Sequence, residues 1–266
     1  RPAAVTHKET LFIMGGYGES YSQCCSTLST LSVHGKFERI EPNGEALSPR
    51  LWHSGWSFDD KLYFFGGVAK ETDEEKMKDL IPIKRDKSLF YTTDLYQFET
   101  ATKTFSVVST TSSPPAPRID CGQAQVEERV FIHGGWCQSR TYVDFFYLDM
   151  ISFQWIKIDD AGMTRGMSGH TMTAINSREI VLVGGQSCNS YSWIPLNEIK
   201  VFDVEKSEWR DEAPLPVESP GQGLYGHNAV LVPKDSGNGA FVLCVGGFCD
   251  ESDDTHPNHM ILLDCH

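Results

Sequence analysis

Val130-Phe131-Ile132-His133-Gly134-Gly135 drives a run of strand-forming residues straight into a pair of glycines, and the chain repeats that arrangement four more times. The other copies are Leu11 to Gly16, Leu62 to Gly67, Ile180 to Gly185 and Phe241 to Gly247. Apolar runs of this length, rich in Val, Ile, Phe and Tyr, read as buried strands. Two successive glycines permit a backbone path with positive φ and leave no Cβ to clash, so each strand is expected to end sharply there. The first glycines, Gly15, Gly66, Gly134, Gly184 and Gly246, lie 51, 68, 50 and 62 residues apart.

What surrounds each pair repeats as well. Upstream stands a polar segment with Arg or His: Pro49-Arg50-Leu51-Trp52-His53-Ser54, Pro117-Arg118-Ile119-Asp120-Cys121-Gly122, Arg165 with Gly169-His170-Thr171, and Tyr225-Gly226-His227-Asn228. Each leads into a strand. Downstream, after a loop of variable length, come half-buried strands at Asp94–Phe98, Phe145–Asp149, Ile199–Asp203 and Met260–Asp264. Large aromatics, Phe37, Phe105, Trp155 and Trp209, then open a short final strand. Four strands per unit at a period near 50 residues describe an all-β propeller of four-stranded antiparallel blades, two intervals being stretched by insertions.

The Gly-Gly pair after the second strand, the aromatic around the third and the aromatic behind it resemble the kelch family over nearly the whole chain. The resemblance implies one kelch β-propeller over residues 1–266, with five blade units visible. They span about 1–42, 48–109, 117–159, 164–212 and 219–266, joined by turns such as Glu41-Pro42-Asn43-Gly44 and Ala213-Pro214-Leu215-Pro216. The last unit lacks a fourth strand, and a ring of five or six blades completed by residues beyond these termini is expected.

Composition bounds the function. The chain has 266 residues, 40% hydrophobic, enough to bury a sizeable core in one domain. Its net charge of −13 opposes nucleic-acid backbones and anionic membranes, though a face can still concentrate a few arginines. No apolar run reaches the roughly 20 residues that span a bilayer. Arg1 rather than Met opens the chain, which points to a removed leader or further domain. Eight scattered cysteines without Cys-x-x-Cys, and the absence of Asn-x-Ser/Thr, favour reduced thiols and a cytoplasmic or nuclear location.

Loops on a rigid scaffold carry binding residues. In kelch proteins of the substrate-adaptor kind, the loops leading into the first strand and those after the Gly-Gly pair line a peptide pocket. That resemblance implies a peptide-binding set of Arg50, Trp52, Arg118, Arg165 and Tyr225 before the first strands. Tyr17, Trp136, Gln186 and Ser187 join it after the glycines. Arginines gathered on one rim suit a carboxylate, because a guanidinium offers paired donors in a plane, and aromatics beside them hold an extended peptide. An Arg at this place can equally hydrogen-bond loop carbonyls, and a Trp or Tyr near a strand end can simply pack.

Other features read as structural. His53, His170 and His227 occupy matching places and are expected to satisfy buried backbone groups rather than bind metal. Asp149, Asp203 and Asp264 are expected to cap turns. The insertion Val68–Leu89 is a mixed-charge loop with six basic and six acidic residues, and Thr72 to Leu80 suits a short helix capped by Thr72 with Glu75. The acidic stretch Cys249–His259 lacks the glycine and spacing of a calcium loop and reads as surface. No nucleophile elbow, zinc-protease or phosphate-loop motif is present, so no enzyme activity and no cofactor are expected. The leading expectation is a module that binds a peptide segment or chain terminus, as in substrate receptors of cullin-type ubiquitin ligases. A cytoskeletal or complex scaffold is the alternative, and a metal-dependent propeller oxidase or lyase the third.

Overall fold

The computed structural model describes residues 1–17, 24–45, 47–71, 73–78, 80–84, 86–159, 161–188, 192–215, 223–234, 239–248 and 260–265. The chain forms two compact units, Arg1–Ile119 with Ser152–Gln154, and Asp120–Ile151 with Trp155–His266. Apart from one parallel edge pair, the strands of both pair antiparallel.

In the first unit, Ala3–His7, Thr10–Met14, Leu28–Ser32 and Phe37–Ile40 pair in that order. A second sheet holds Ser54–Phe58, Lys61–Phe65, Leu95–Glu99 and Thr104–Val107. Asn43–Gly44, expected as a joint turn, instead runs parallel along Thr104–Val107 and adds an edge to that sheet. A core of Val5, Met14, Leu28, Leu62, Phe64, Phe98 and Phe105 fills the space between the two sheets. The insertion after Gly67 forms its own small sheet of Arg50–Leu51, Val68–Lys70, Asp86–Tyr91 and Ile81–Ile83. Its helix is confined to Glu74–Met77, a single turn; Thr72 lies outside the described residues. So short a helix gains little beyond its nucleation cost and yields to the neighbouring strand pairing.

In the second unit, one sheet joins Gly122–Val126, Arg129–His133, Phe145–Asp149 and Gln154–Ile158. The next joins Thr171–Ala174, Glu179–Val183, Ile199–Asp203 and Glu208–Asp211. The last joins, among the described residues, Asn228–Pro233, Ala240–Val245 and Met260–Cys265. One core unites Phe131, Phe145, Ile180, Leu182 and Phe202, and another unites Val181, Val183, Val201, Val242 and Cys244. The aromatics opening the final strands have unequal fates: Phe105 and Trp155 are buried, whereas Phe37 is 63% exposed beside its cross-strand partner Leu31.

The Gly-Gly pairs work in two ways at once. All ten glycines have positive φ, from 61° at Gly184 to 101° at Gly185. At Gly184 a Cβ would also stand 2.0 Å from the Leu224 carbonyl oxygen, a distance no side chain tolerates. The second glycine of three pairs donates its N–H to the segment leading into the next sheet, Gly16 to Arg50, Gly135 to Met167 and Gly185 to Leu224, at 2.7–3.0 Å. The glycines thus stitch successive sheets together and release the loop that follows them.

Candidate functional site

The segments leading into the first strands share a backbone feature invisible in composition. One residue in each is left-handed: Trp52 at φ 52°, Asp120 at 50°, Gly169 at 66° and Gly226 at 69°. In the second unit these residues are laddered, Gly169 N–H donating to the Asp120 carbonyl at 2.8 Å and Gly226 N–H to the Gly169 carbonyl at 2.7 Å. Two units meet the requirement with glycine at no steric cost, whereas a tryptophan there costs on the order of 1–2 kcal/mol. Strain of this kind on a bulky residue points to a use for its side chain. The half-buried Trp52 packs edge-on against Tyr17, 40% exposed, with ring centroids 5.7 Å apart and planes at 85°.

Arg50 and Arg118 are not on a surface. Both side chains are buried, at 0% and 2% exposure, which corrects their assignment to a ligand-facing rim. The Arg50 guanidinium donates to the Ser48 hydroxyl at 3.0 Å and to the Ser48 and Gly66 carbonyls at 3.4 and 3.5 Å. It lies 4.7 Å over the Tyr96 ring and 3.9 Å from the Asp94 carboxylate. Burial pulls its pKa down from the usual arginine value, opposed by Tyr96 and Asp94. Arg118 repeats the motif, its Nε donating to the Ala116 carbonyl at 3.0 Å. Each arginine donates to the carbonyl two residues upstream in its own loop, which turns inward where the chain enters the sheet.

The remaining candidates of the second unit stand on loops. Trp136 belongs to the hairpin Trp136–Cys137/Arg140–Thr141, and its ring lies 6.0 Å from that of Trp193. Trp193 is in the hairpin Gln186–Cys188/Trp193–Pro195, which carries Gln186 and Ser187. Gln186 exchanges backbone hydrogen bonds with Ser168, and the Ser187 hydroxyl donates to the Gly166 carbonyl at 2.8 Å. Arg165 is half-exposed and ion-paired with Glu198. Tyr225 stacks on Phe248 at 5.4 Å and 24°, their backbones bonded in both directions.

Sequence reasoning missed Trp193, Arg140 and Tyr142. The Arg140 guanidinium lies 4.8 Å over the Tyr142 ring. Trp193 sits eight residues beyond the Gly184-Gly185 pair, and no repeat position marks it; only the hairpin returns it to Trp136.

The histidines do something other than satisfy backbone groups. His133 Nδ1 and His170 Nε2 are 3.1 Å apart, and His227 Nε2 bonds the Thr171 hydroxyl at 2.8 Å. Neither ring nitrogen of His53 has a hydrogen-bond partner among the described residues. Their common role is packing. A Cβ placed on Gly15, Gly134 or Gly184 would approach the Cε1 of His53, His170 or His227 at 3.0, 3.0 and 3.4 Å. Burial drives the pKa of His53 and His170 well below the ordinary value, with nearby Arg50 and His133 respectively adding to it. Asp149 and Asp203 accept turn N–H groups as expected, while Asp264 pairs with Lys234. Burial raises the Cys24 and Cys244 thiols to about 11, which keeps them unreactive. No group of three His, Cys, Asp or Glu side chains gathers among the described residues, and the acidic stretch 249–259 lies outside them.

Comparison with known proteins agrees with this frame. Kelch domain-containing protein 2 of Bos taurus is 26% identical over 182 residues, 65% of this chain and 43% of the relative. The N-(sulfonatooxy)prop-2-enimidothioate sulfolyase of Thlaspi arvense is 24% identical over 198 residues, 72% of this chain and 51% of the enzyme. The chain therefore spans about half the length of these curated relatives. The solved structure of YjhT superposes with a TM-score of 0.73 at 14% identity, covering 98% of this chain and 80% of that one, a likeness of fold. The KLHDC2/KLHL20/DRC7 Kelch-repeats domain matches residues 2–247, and the chain, with its Gly-Gly-closed four-stranded sheets, belongs to the kelch-repeat family as a kelch β-propeller.

Proposed function

We propose that this propeller is a protein-interaction module that holds an extended peptide segment or chain terminus with the loops after its Gly-Gly pairs. One observation carries the reading. In three sheets the residue directly after the glycines, Tyr17, Trp136 and Phe248, is an aromatic packed on a second aromatic, with centroids 5.4–6.0 Å apart. Each pair is partly open to solvent, and amphipathic rings held rigidly at low entropic cost are what peptide-binding surfaces use.

The carboxylate preference rests on Arg165, whose guanidinium is half-exposed and already holds the Glu198 carboxylate. A terminal carboxylate would displace Glu198 without creating a new cavity. Arg50 and Arg118 act from within, fixing the loops that lead into the first strands. Service as substrate receptor of a cullin-type ligase, in the cytoplasm or nucleus, is the cellular role that fits such a pocket.

The test is a C-terminal peptide library displayed to residues 1–266, with each retained peptide resynthesised as its amide. Retained peptides that weaken about tenfold on Trp52→Ala, which tests the loops of the first unit, or on both amidation and Arg165→Ala, which test those of the second, support the reading. A library that yields no peptide sensitive to either substitution overturns it. The plant sulfolyase relative keeps a lyase reading in play, and elemental analysis of the purified chain for stoichiometric metal tests that reading separately.

A further inference from the structure

The joint that leads toward Arg118 repeats the backbone contacts of the joint that leads toward Arg50, at a constant offset of 68 residues. Asn43 N–H donates to the Lys103 carbonyl at 2.7 Å, and its counterpart Thr111 N–H donates to the Phe153 carbonyl at 2.9 Å. Leu47 and its counterpart Pro115 are both buried. The guanidinium of Arg50 donates to the Ser48 carbonyl, and that of Arg118 to the Ala116 carbonyl. The same count sets Ser113 in the place of Glu45. In the first joint the Glu45 carboxylate accepts the Val107 N–H at 3.1 Å and so ties the joint to a strand. Ser113 brings only a neutral hydroxyl to that place.

That hydroxyl is open to chemistry. Ser113 is exposed and makes no hydrogen bond among the described residues, whereas Thr110 donates to the Ser112 carbonyl at 2.8 Å and Thr111 to the Ser152 carbonyl at 3.3 Å. Pro114 confines Ser113 to an extended backbone, and Pro114, Pro115 and Pro117 have no N–H to commit to a sheet. No helix or strand lies between Val107 and Ile119. An exposed, extended stretch can enter an enzyme's cleft without unfolding its neighbours, and a serine set before proline is the acceptor that proline-directed kinases select. The first joint has the same dipeptide in Ser48-Pro49, but there the half-buried hydroxyl accepts the Arg50 guanidinium at 3.0 Å.

We infer that Ser113 is a phosphorylation site for a proline-directed serine/threonine kinase, and that its phosphate ties this joint down as the Glu45 carboxylate ties the first. The Ser113 oxygen attacks the γ-phosphorus of a nucleoside triphosphate, the bond to the bridging oxygen breaks, the diphosphate leaves and the hydroxyl proton is released. The phosphate brings negative charge and strong acceptor oxygens to the position where the first joint has a carboxylate.

The test treats residues 1–266 with such a kinase and MgATP. Tandem mass spectrometry assigns the sites, which separates Ser113 from Ser48 and from Ser219, whose Ser219-Pro220 pair lies outside the described residues. Ser113 of the folded chain is expected to be labelled within about tenfold of the rate for a free peptide of Val108–Arg118, with Ser48 unlabelled. Pro114→Ala should slow the labelling of Ser113 at least about tenfold. After complete phosphorylation, amide exchange of residues 109–113 should slow about threefold, and Ser113→Ala should show neither label nor slowing. Labelling slower than that margin overturns the site, because the segment is then closed to an enzyme. Equal labelling of Pro114→Ala overturns it too, and unchanged amide exchange in the phosphorylated chain overturns the tie.

Discussion

Arg50 and Trp52 stand two residues apart and are governed by different forces. Arg50 is wholly buried and donates to carbonyls that would otherwise be orphaned, so Arg50→Ala is expected to cost about 3 kcal/mol in urea denaturation, by analogy with breaking a buried charged network. Trp52→Gly removes left-handed strain and adds chain entropy in near balance, so stability should change by less than about 1 kcal/mol while peptide capture is lost. Opposite results, a stable Arg50→Ala and an unfolded Trp52→Gly, would reverse the two roles. The buried histidines give a pH dependence. His53 and His170 have folded-state pKa values held well below the unfolded one, so the unfolded chain binds the extra protons and stability falls as pH drops below about 6.5. The slope should approach about 1.4 kcal/mol per pH unit for each histidine, read as the loss of urea midpoint between pH 7 and pH 5.

Among elements, strands and hairpins carry different duties. The second sheet pairs Lys61–Phe65 directly with Leu95–Glu99, and the whole insertion between them leaves and returns at its edge. Replacing residues 72–80, with their single helical turn, by a short Gly-rich turn is therefore expected to shift Tm by less than roughly 3 °C in calorimetry. Loss of a captured partner in that variant would favour the scaffold reading over the loop site. The hairpin Gln186–Cys188/Trp193–Pro195 was beyond sequence reasoning because its two short arms are separated by a polar stretch without a turn signature. The long third strands were plain to see: the expected Phe145–Asp149 and Ile199–Asp203 are the observed ones, since alternation reports a half-buried strand wherever it persists for five residues.

Across the whole molecule, a charge of −13 favours cationic partners at a distance. Association with a lysine-bearing peptide should slow several-fold between about 20 and 300 mM salt, and an acidic control peptide should show the reverse trend in stopped-flow traces. A salt-independent rate for both would show that local contacts, not the overall field, govern encounter.

The five sheets were legible in the sequence because a Gly-Gly pair has one dominant reason to follow an apolar run: the backbone must turn left-handed where a neighbouring carbonyl approaches, as at Gly184 against Leu224. That demand is local, so sequence alone determined the repeat, its strand order and the places where variable loops depart. The direction in which a long side chain points is not local. Arg50, Arg118 and Arg165 look alike along the chain, yet two are buried and one is half-exposed, because each loop's carbonyls either turn inward to meet a guanidinium or do not. The meeting of Trp136 with Trp193 and the exposure of Phe37 likewise depend on how sheets and loops stack within a unit. Only the tertiary structure decided those, since they are set by contacts between residues that neither period nor spacing relates.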